Sequence, residues 1–398
     1  MTRILHITRT ADPRSGGPIE GAIRLGEVWR REGHTQDLLT IDPPDAPFLG
    51  ETEDRTIALG NERWPARRLR YGFAPEMIGW IRRHAHEYDA AIVSGLWNFS
   101  VLGARLALPR LDLPYFVYTH GMLDPWFKHT YPLKNMGKQL SWLLNEGALL
   151  RHAQGVLFTT EEERLLAEDA FFPYKVRPYV VGYGTADIPG DAETQIAAFR
   201  ATVPAVTGRR YLLFLSRIHE KKGCDLLIDG FAGIAARDPD LDLVIAGPDD
   251  VGLAKELASQ AARLGLAERV HFPGMLRGEA KWGAYRACEA FALTSHQENF
   301  GVVVAEAMAA GRPVLISDKV NIWREVTADG AGLVESDTAE GARRLLERFI
   351  TLSAGARAAM GAAGRASFLR RYTAEAAADT LMRLIEGAIG GQGRRRAG

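Results

Sequence analysis

Two glutamates, Glu298 and Glu306, flank the run Asn299–Phe300–Gly301–Val302–Val303–Val304–Ala305, whose glycine is a natural place for a helix to begin. The free N–H groups of such a start, together with the positive end of the helix dipole, favour a phosphate. Carboxylates beside an anion site suit a different task, accepting hydrogen bonds from sugar hydroxyls. Val302, Val303, Val304 and Met308 mark the helix as largely buried, which argues against two ordinary surface glutamates. Upstream, Arg217 is followed by Lys222 and Gly223. A guanidinium and an ammonium on a tight turn can grip two phosphates. The competing reading is a solvated basic loop, and Lys221 is taken that way. Gly16 and Gly17, in Ser15–Gly16–Gly17–Pro18, would let the backbone approach a ligand closely. The spacing is not G-x-G-x-x-G, so a dinucleotide fingerprint is absent, and a plain strand-to-helix loop stays open. His120 and Trp97 each follow a short apolar run. A lone histidine is more often structural than catalytic, and Trp97 reads equally well as a core aromatic.

Positioning these residues falls to a repeated rhythm of short apolar run, turn and longer helical pattern. Strands are expected at Arg3–Ile7, Ala90–Val93, Tyr115–Tyr118 and Val156–Phe158 in the first half. In the second they are expected at Tyr211–Leu215, Leu241–Ala246, Val270–Phe272, Ala290–Leu293 and Val314–Ile316. Runs that are apolar throughout fit parallel strands covered on both faces. Helical patterns such as Ile19–Arg31, Asp225–Ala236 and Gly301–Ala310 lie between them. The alternation implies two doubly wound α/β domains. The seam is expected near Gly182–Tyr183–Gly184, giving domains at 1–184 and 185–372. A last segment, 373–398, would hold an amphipathic helix to Ile389 that crosses back to the first domain, then a frayed Gly-rich tail.

The chain has 398 residues, too long for one core by the usual limit of about 250–300. Lys+Arg 49 against Asp+Glu 49 leaves no basic excess, which argues against a nucleic-acid binder. Hydrophobic residues at 46% argue against disorder. Two cysteines, Cys224 and Cys288, form neither a zinc framework nor a disulfide network, which favours a reducing cytoplasm. The N-terminal apolar run is too short for a signal peptide, and no stretch reaches the roughly 18–20 apolar residues of a membrane span.

Taken together, the Glu298–Glu306 stretch through Gly311–Arg312–Pro313–Val314, the Arg217 and Lys222–Gly223 pair, and Val270–His271–Phe272–Pro273–Gly274–Met275 resemble the retaining glycosyltransferases of family 4, with E-x7-E motif and GT-B fold. The resemblance runs over essentially the whole chain. It implies two Rossmann-like domains facing a central crevice, the first for the acceptor and the second for a nucleotide diphosphate sugar. The donor would be a UDP- or GDP-sugar, with no cofactor. It assigns catalysis to His120, Arg217, Lys222 and Glu298. Donor binding falls to Gly16, Gly17, Gly274, Met275, Asn299, Phe300, Gly301, Val302 and Glu306. His120 would line the reacting sugar. No Asp-x-Asp metal motif is read in the chain, and two fixed cations and a helix dipole would replace a divalent ion, so no metal site is expected. Where the family commonly has Asn-Gly near the seam, this chain has Gly182–Tyr183–Gly184.

The acceptor side is read from Trp97, Asp124 and Trp126, which follow strand ends in the first domain. The acceptor implied is a glycan or a polyprenyl-diphosphate-linked glycan, as in bacterial surface polysaccharide assembly. Arg63, Arg67, Arg68 and Arg70 with Trp64, Tyr71, Phe73 and Trp80, and the segment Tyr131–Leu150 with Lys134, Lys138 and Trp142, make two basic-aromatic stretches. They fit peripheral contact with an anionic membrane, or equally a solvated face over core aromatics. Two other classes compete. An epimerase or hydrolase of nucleotide sugars would need extra carboxylates as acid and base; a non-catalytic scaffold would have no need for all five of Glu298, Glu306, Arg217, Lys222 and His120.

Overall fold

Along β1 (Arg3–Ile7), β4 (Ala90–Ser94), β5 (Tyr115–Tyr118) and β6 (Gly155–Phe158), alternate side chains enter two different cores. Leu5, Ile7, Val93, Val117 and Val156 face one. Ile4, Ile92, Phe116 and Leu157 face the other, against Val28 and Trp29. A strand of period two with both faces covered is apolar at nearly every position, which is why these runs are legible; the buried polar exceptions, His6 in β1 and Ser94 in β4, lie against each other. The computed structural model describes residues 1–60, 71–126, 128 and 132–396.

The chain forms two compact units, Met1–Gly184 with the residues from Ala374 onward, and Thr185–Thr373. The first holds a seven-stranded parallel sheet in the order β3-β2-β1-β4-β5-β6-β7, completed by β2 (Thr35–Thr40), β3 (Arg55–Ala58) and β7 (Pro178–Val180). The second holds a six-stranded parallel sheet in the order β10-β9-β8-β11-β12-β13. Its strands are β8 (Arg210–Leu215), β9 (Leu241–Ala246), β10 (Val270–Gly274), β11 (Ala290–Leu293), β12 (Val314–Ser317) and β13 (Gly332–Glu335). In each sheet the strand order reverses once, between β1 and β4 and between β8 and β11. Loops at the carboxyl ends of the strands flanking such a reversal diverge and leave room for a ligand. All four loops that carry candidate residues Gly16–Gly17, Trp97, Arg217–Lys222 and Glu298 follow these four strands.

Four strands escape the sequence reading. Three of them, β3, β7 and β13, are sheet edges whose residues are half-buried or exposed. The fourth, β2, carries buried Gln36 and the polar Asp37 in place of a continuous apolar run. The C-terminal helix spans Ala374–Arg396, beyond the expected end at Ile389 and into the Gly-rich tail. Ala377, Ala378, Leu381, Met382 and Ile385 pack it into the core that holds Val28 and Trp29. Cys224 and Cys288 are buried free thiols, and burial pushes both up to about 12.

Candidate functional site

In the second unit, the turn after β8 is locked to the turn after β11. Thr294 Oγ1 donates to the Gly223 carbonyl (2.7 Å), and Ser295 Oγ and the His296 N–H both donate to the Lys221 carbonyl (2.8 Å each). Gly223 is in the left-handed region (φ 62°), and a Cβ there would lie 2.1 Å from the Thr294 carbonyl oxygen. Only glycine permits that approach. It brings Lys222, which is 9% exposed, into an ion pair with Glu298. Glu298 is itself held by its backbone, its N–H donating to the Lys319 carbonyl (2.9 Å) and its carbonyl accepting from Asn321 (3.0 Å). Arg217 lies exposed on the same turn.

The helix Val302–Ala309 begins at Gly301, whose φ of 78° turns the chain sharply into it. Val304 and Ala305 donate to the Gly301 carbonyl, so the N–H groups that precede them, from Gly301 through Val303, are the ones a phosphate would meet. Phe300 is buried, with its ring edge-on to Tyr372 (centroids 5.5 Å apart), so its side chain braces the turn. One helical turn on, Glu306 is 7% exposed. Its Oε1 accepts from Lys281 Nζ (2.6 Å) and its Oε2 from the Tyr285 hydroxyl (3.0 Å). Burial and the Glu306 charge together push the Tyr285 hydroxyl well above its ordinary pKa, so it stays a donor. Gly274 (φ 77°) and Met275, 53% exposed, form the open turn after β10.

Asp-x-Asp spacing does occur, in Asp238–Pro239–Asp240–Leu241–Asp242. Asp242 is buried among Arg209, Arg269 and His271, and Asp238 pairs with Arg210, at the amino end of β9. These carboxylates neutralise arginines far along the strand from the turns just described.

In the first unit, Gly16 (φ 94°) caps the helix Gly17–Arg31. The Tyr183 hydroxyl donates to the Gly17 carbonyl (2.6 Å), and a Cβ on Gly21 would touch the Tyr183 ring at 2.9 Å. Tyr183 therefore pins the glycine turn. Trp97 (φ 63°) and His120 (φ 49°) are the two non-glycine residues with positive φ among those described. Strained backbone of this kind persists where the surroundings over-determine it, most often at functional sites. The Trp97 ring packs on Phe171 (5.2 Å) under the Lys138 ammonium (5.1 Å), with its Nε1 buried and unpaired. The imidazole of His120 stacks on Tyr118 (5.0 Å) and meets Ser94 Oγ through Nε2 (3.2 Å). Burial, with His6 nearby, pushes His120 down to about 3, so it is neutral at ordinary pH. Asp124 accepts from the Trp126 N–H (2.8 Å) in a tight turn beyond it.

Sequence reasoning missed the group that fixes this turn. Buried Glu163 accepts from Thr119 Oγ1 (2.9 Å) and the Gly121 N–H (2.6 Å) through Oε1, and from Thr159 N and Oγ1 (2.7 and 2.6 Å) through Oε2. Its signal was a capping box, Thr160–Glu161–Glu162–Glu163, and Thr160 does cap that helix. The carboxylate, though, is turned to the strand ends. Lys281 and Tyr285 were also missed; a one-turn spacing on one helix places both against Glu306.

Of the two basic-aromatic stretches, Arg63, Trp64, Arg67, Arg68 and Arg70 lie outside the described residues, as does Tyr131. The described part of the second forms the helix Pro132–Ser141, a π-helical turn Trp142–Glu146 and the helix Gly147–His152. Trp142 is core, whereas Met136, Leu140, Leu143 and Leu144 are all more than half exposed.

Two family models cover the chain: "Glycosyl transferase 4-like domain" over residues 16–184 and "Glycosyl transferases group 1" over residues 195–367. The phosphatidyl-myo-inositol mannosyltransferase of Mycobacterium tuberculosis is 32% identical over 401 residues, 94% of each chain. The mannosylfructose-phosphate synthase of Agrobacterium fabrum is 27% identical over 340 residues, 79% of this chain and 73% of that one. Among solved structures, Anabaena Alr3699/HepE in complex with UDP superposes with a TM-score of 0.75 at 19% identity, over 97% of this chain and 100% of that one. The sucrose-phosphate synthase of Thermosynechococcus elongatus does so with a TM-score of 0.73 at 20% identity, over 98% and 100%. With two parallel α/β units of GT-B type and relatives matched over nearly its full length, the chain belongs to the group 1 glycosyltransferases.

Proposed function

We propose that the chain transfers a sugar from a nucleotide diphosphate donor, UDP- or GDP-linked, with retention of anomeric configuration and without a metal ion. The observation that carries the reading is the pairing of Lys222 with Glu298 beside the helix start at Gly301. This puts a cation, a carboxylate and free N–H groups together at the β8–β11 strand reversal. Lys222, Arg217 and the N–H groups from Gly301 and Val302 hold the diphosphate and stabilise the charge that grows on it as it leaves. Glu298 and Asn299 bind hydroxyls of the donor sugar, Glu306 the ribose, and the backbone at Gly274 and Met275 the base. Gly16 and Gly17 meet the diphosphate, and His120 the reacting sugar. A front-face displacement follows, in which the departing phosphate takes the acceptor proton. Relatives named as mannosyltransferases and a structural neighbour holding UDP support the donor class.

For the acceptor we propose a glycan or polyprenyl-diphosphate-linked glycan, met by Trp97, Asp124 and Trp126, at the inner face of the cytoplasmic membrane and in surface polysaccharide assembly. Among the described residues no helix is long and apolar enough to cross a membrane. Exposed Met136, Leu140, Leu143 and Leu144 beside Lys134 suit a peripheral, salt-sensitive contact with an anionic bilayer. Thermal shift against UDP-, GDP- and ADP-sugars tests the donor, since a bound donor stabilises by mass action. One nucleotide series should raise Tm, unchanged by EDTA. NMR of the transfer product should show the donor's anomeric configuration, and an inverted product would refute the retaining reading.

A further inference from the structure

Behind His120 runs a chain of hydrogen bonds whose directions can be worked out link by link. Buried Gln36 places Nε2 at 2.9 Å from the Ala22 carbonyl oxygen and 2.9 Å from Asp54 Oδ2. A carbonyl oxygen only accepts, so the amide orientation is determined, and Gln36 Oε1 can only accept from His6 Nδ1 at 3.0 Å. Burial pushes His6 down to about 4, which leaves it neutral with a single ring hydrogen, on Nδ1. Its Nε2 is therefore bare and takes the hydroxyl hydrogen of Ser94, 2.8 Å away. Ser94 has no second hydrogen to give. Toward His120 Nε2, at 3.2 Å, its oxygen must accept, and His120 must carry its own hydrogen on Nε2. The alternative directions would set two lone pairs against each other at Gln36 or at Ser94.

We propose that Gln36, His6 and Ser94 are positioning residues that select one tautomer of His120, hydrogen on Nε2 and a bare lone pair on Nδ1. The ring plane is held separately, by stacking on Tyr118 and by Glu163 gripping the turn on both sides of His120. What the relay adds is polarity. A bare Nδ1 offers an acceptor for a sugar hydroxyl and repels a second acceptor, so it discriminates a substrate presenting O–H from one presenting only oxygen lone pairs. This use of the lone pair rests on the assignment of His120 to the reacting sugar; the tautomer itself does not.

Long-range 15N–1H NMR on the full chain labelled at histidine reads both rings without any ligand. At neutral pH, His6 should be protonated on Nδ1 and His120 on Nε2. In Ser94→Ala, His6 should keep its tautomer while His120 becomes a mixture. In Gln36→Met, which leaves the Ser94–His120 contact intact, both rings should become mixtures. Ser94→Thr should restore His120. Protonation of His120 on Nδ1 in the parent chain, or a pure Nε2 form in both variants, would overturn the relay. With the nucleotide sugar selected by the thermal-shift panel, Ser94→Ala should lower kcat about tenfold at nearly constant donor KM. An unchanged kcat alongside a mixed tautomer would remove the catalytic use of the relay. If no nucleotide sugar binds, the functional reading falls while the NMR result still decides the relay.

Discussion

Glu306, proposed to bind the ribose, also braces the second unit from within. Its two oxygens are held by Lys281 and Tyr285, and Tyr285 is buried. Glu306→Ala leaves a buried hydroxyl and an ammonium without their acceptor, a cost of about 1–3 kcal/mol. We expect a lower Tm and weaker binding of the free nucleotide diphosphate in calorimetry, with Glu306→Gln intermediate in both. A lower Tm at unchanged nucleotide affinity would leave Glu306 a purely structural group. His6 makes a pH prediction. Its pKa is about 4 in the folded chain against 6.5 ordinarily, so between those values the unfolded chain binds more protons. Stability attributable to His6 is then complete above pH 6.5 and is lost as pH falls toward 4, a loss of roughly 3 kcal/mol. Asp54 acts oppositely: burial raises its carboxyl to about 6, so the folded chain holds the extra proton there and stability falls as pH rises through that range. Comparing parent and His6→Asn isolates the first effect. The parent should lose more Tm than the variant between pH 7 and pH 4.5, and parallel curves would refute it.

Turns, more than helices or strands, hold the residues proposed to carry the chemistry of this chain, and each is closed by a contact from another element. The Lys222 turn depends on Gly223 lying against the carbonyl of Thr294. Gly223→Ala would put a Cβ into backbone at a positive φ, which the structure can relieve only by moving one turn away from the other. We expect roughly 2–4 kcal/mol of destabilisation and, because Lys222 moves away from Glu298, a loss of nucleotide diphosphate binding larger than that of Lys221→Ala. Thermal unfolding and calorimetry on both variants check this. The His120 turn depends in the same way on Glu163, which supplies both oxygens to four donors from β5 and β6 ends.

The C-terminal helix completes the first unit from the far end of the chain. Leu381, Met382 and Ile385 fill a core with Ile4, Trp29, Ile92 and Phe116, and Trp29 Nε1 donates to the Ala378 carbonyl (3.4 Å). Each such aliphatic side chain contributes about 1.5–3 kcal/mol by burial, a sum comparable with the whole stability of a typical domain. Ending the chain at Tyr372 should therefore yield insoluble protein, or a first unit without a cooperative near-UV CD transition. A soluble truncation with an unchanged Tm would show that the helix is dispensable.

From the sequence alone came the strands buried on both faces, since local composition suffices where nearly every position is apolar, and with them the two parallel α/β units. Glu298, Glu306, Arg217 and Lys222 stood out as candidates because they sit in two contiguous stretches with fixed spacing. Edge strands β3, β7 and β13 were not, because a strand with one unpaired side need not be apolar. Nor could sequence show what each charged group touches. Lys222 meets Glu298 across 76 positions, Thr119 meets Glu163 across 44, and His6 meets Ser94 across 88. Such pairs are decided by which strands lie side by side in the sheet. Parallel pairing across long connections is settled by burial of the assembled faces, a property of the folded chain and not of any window along it.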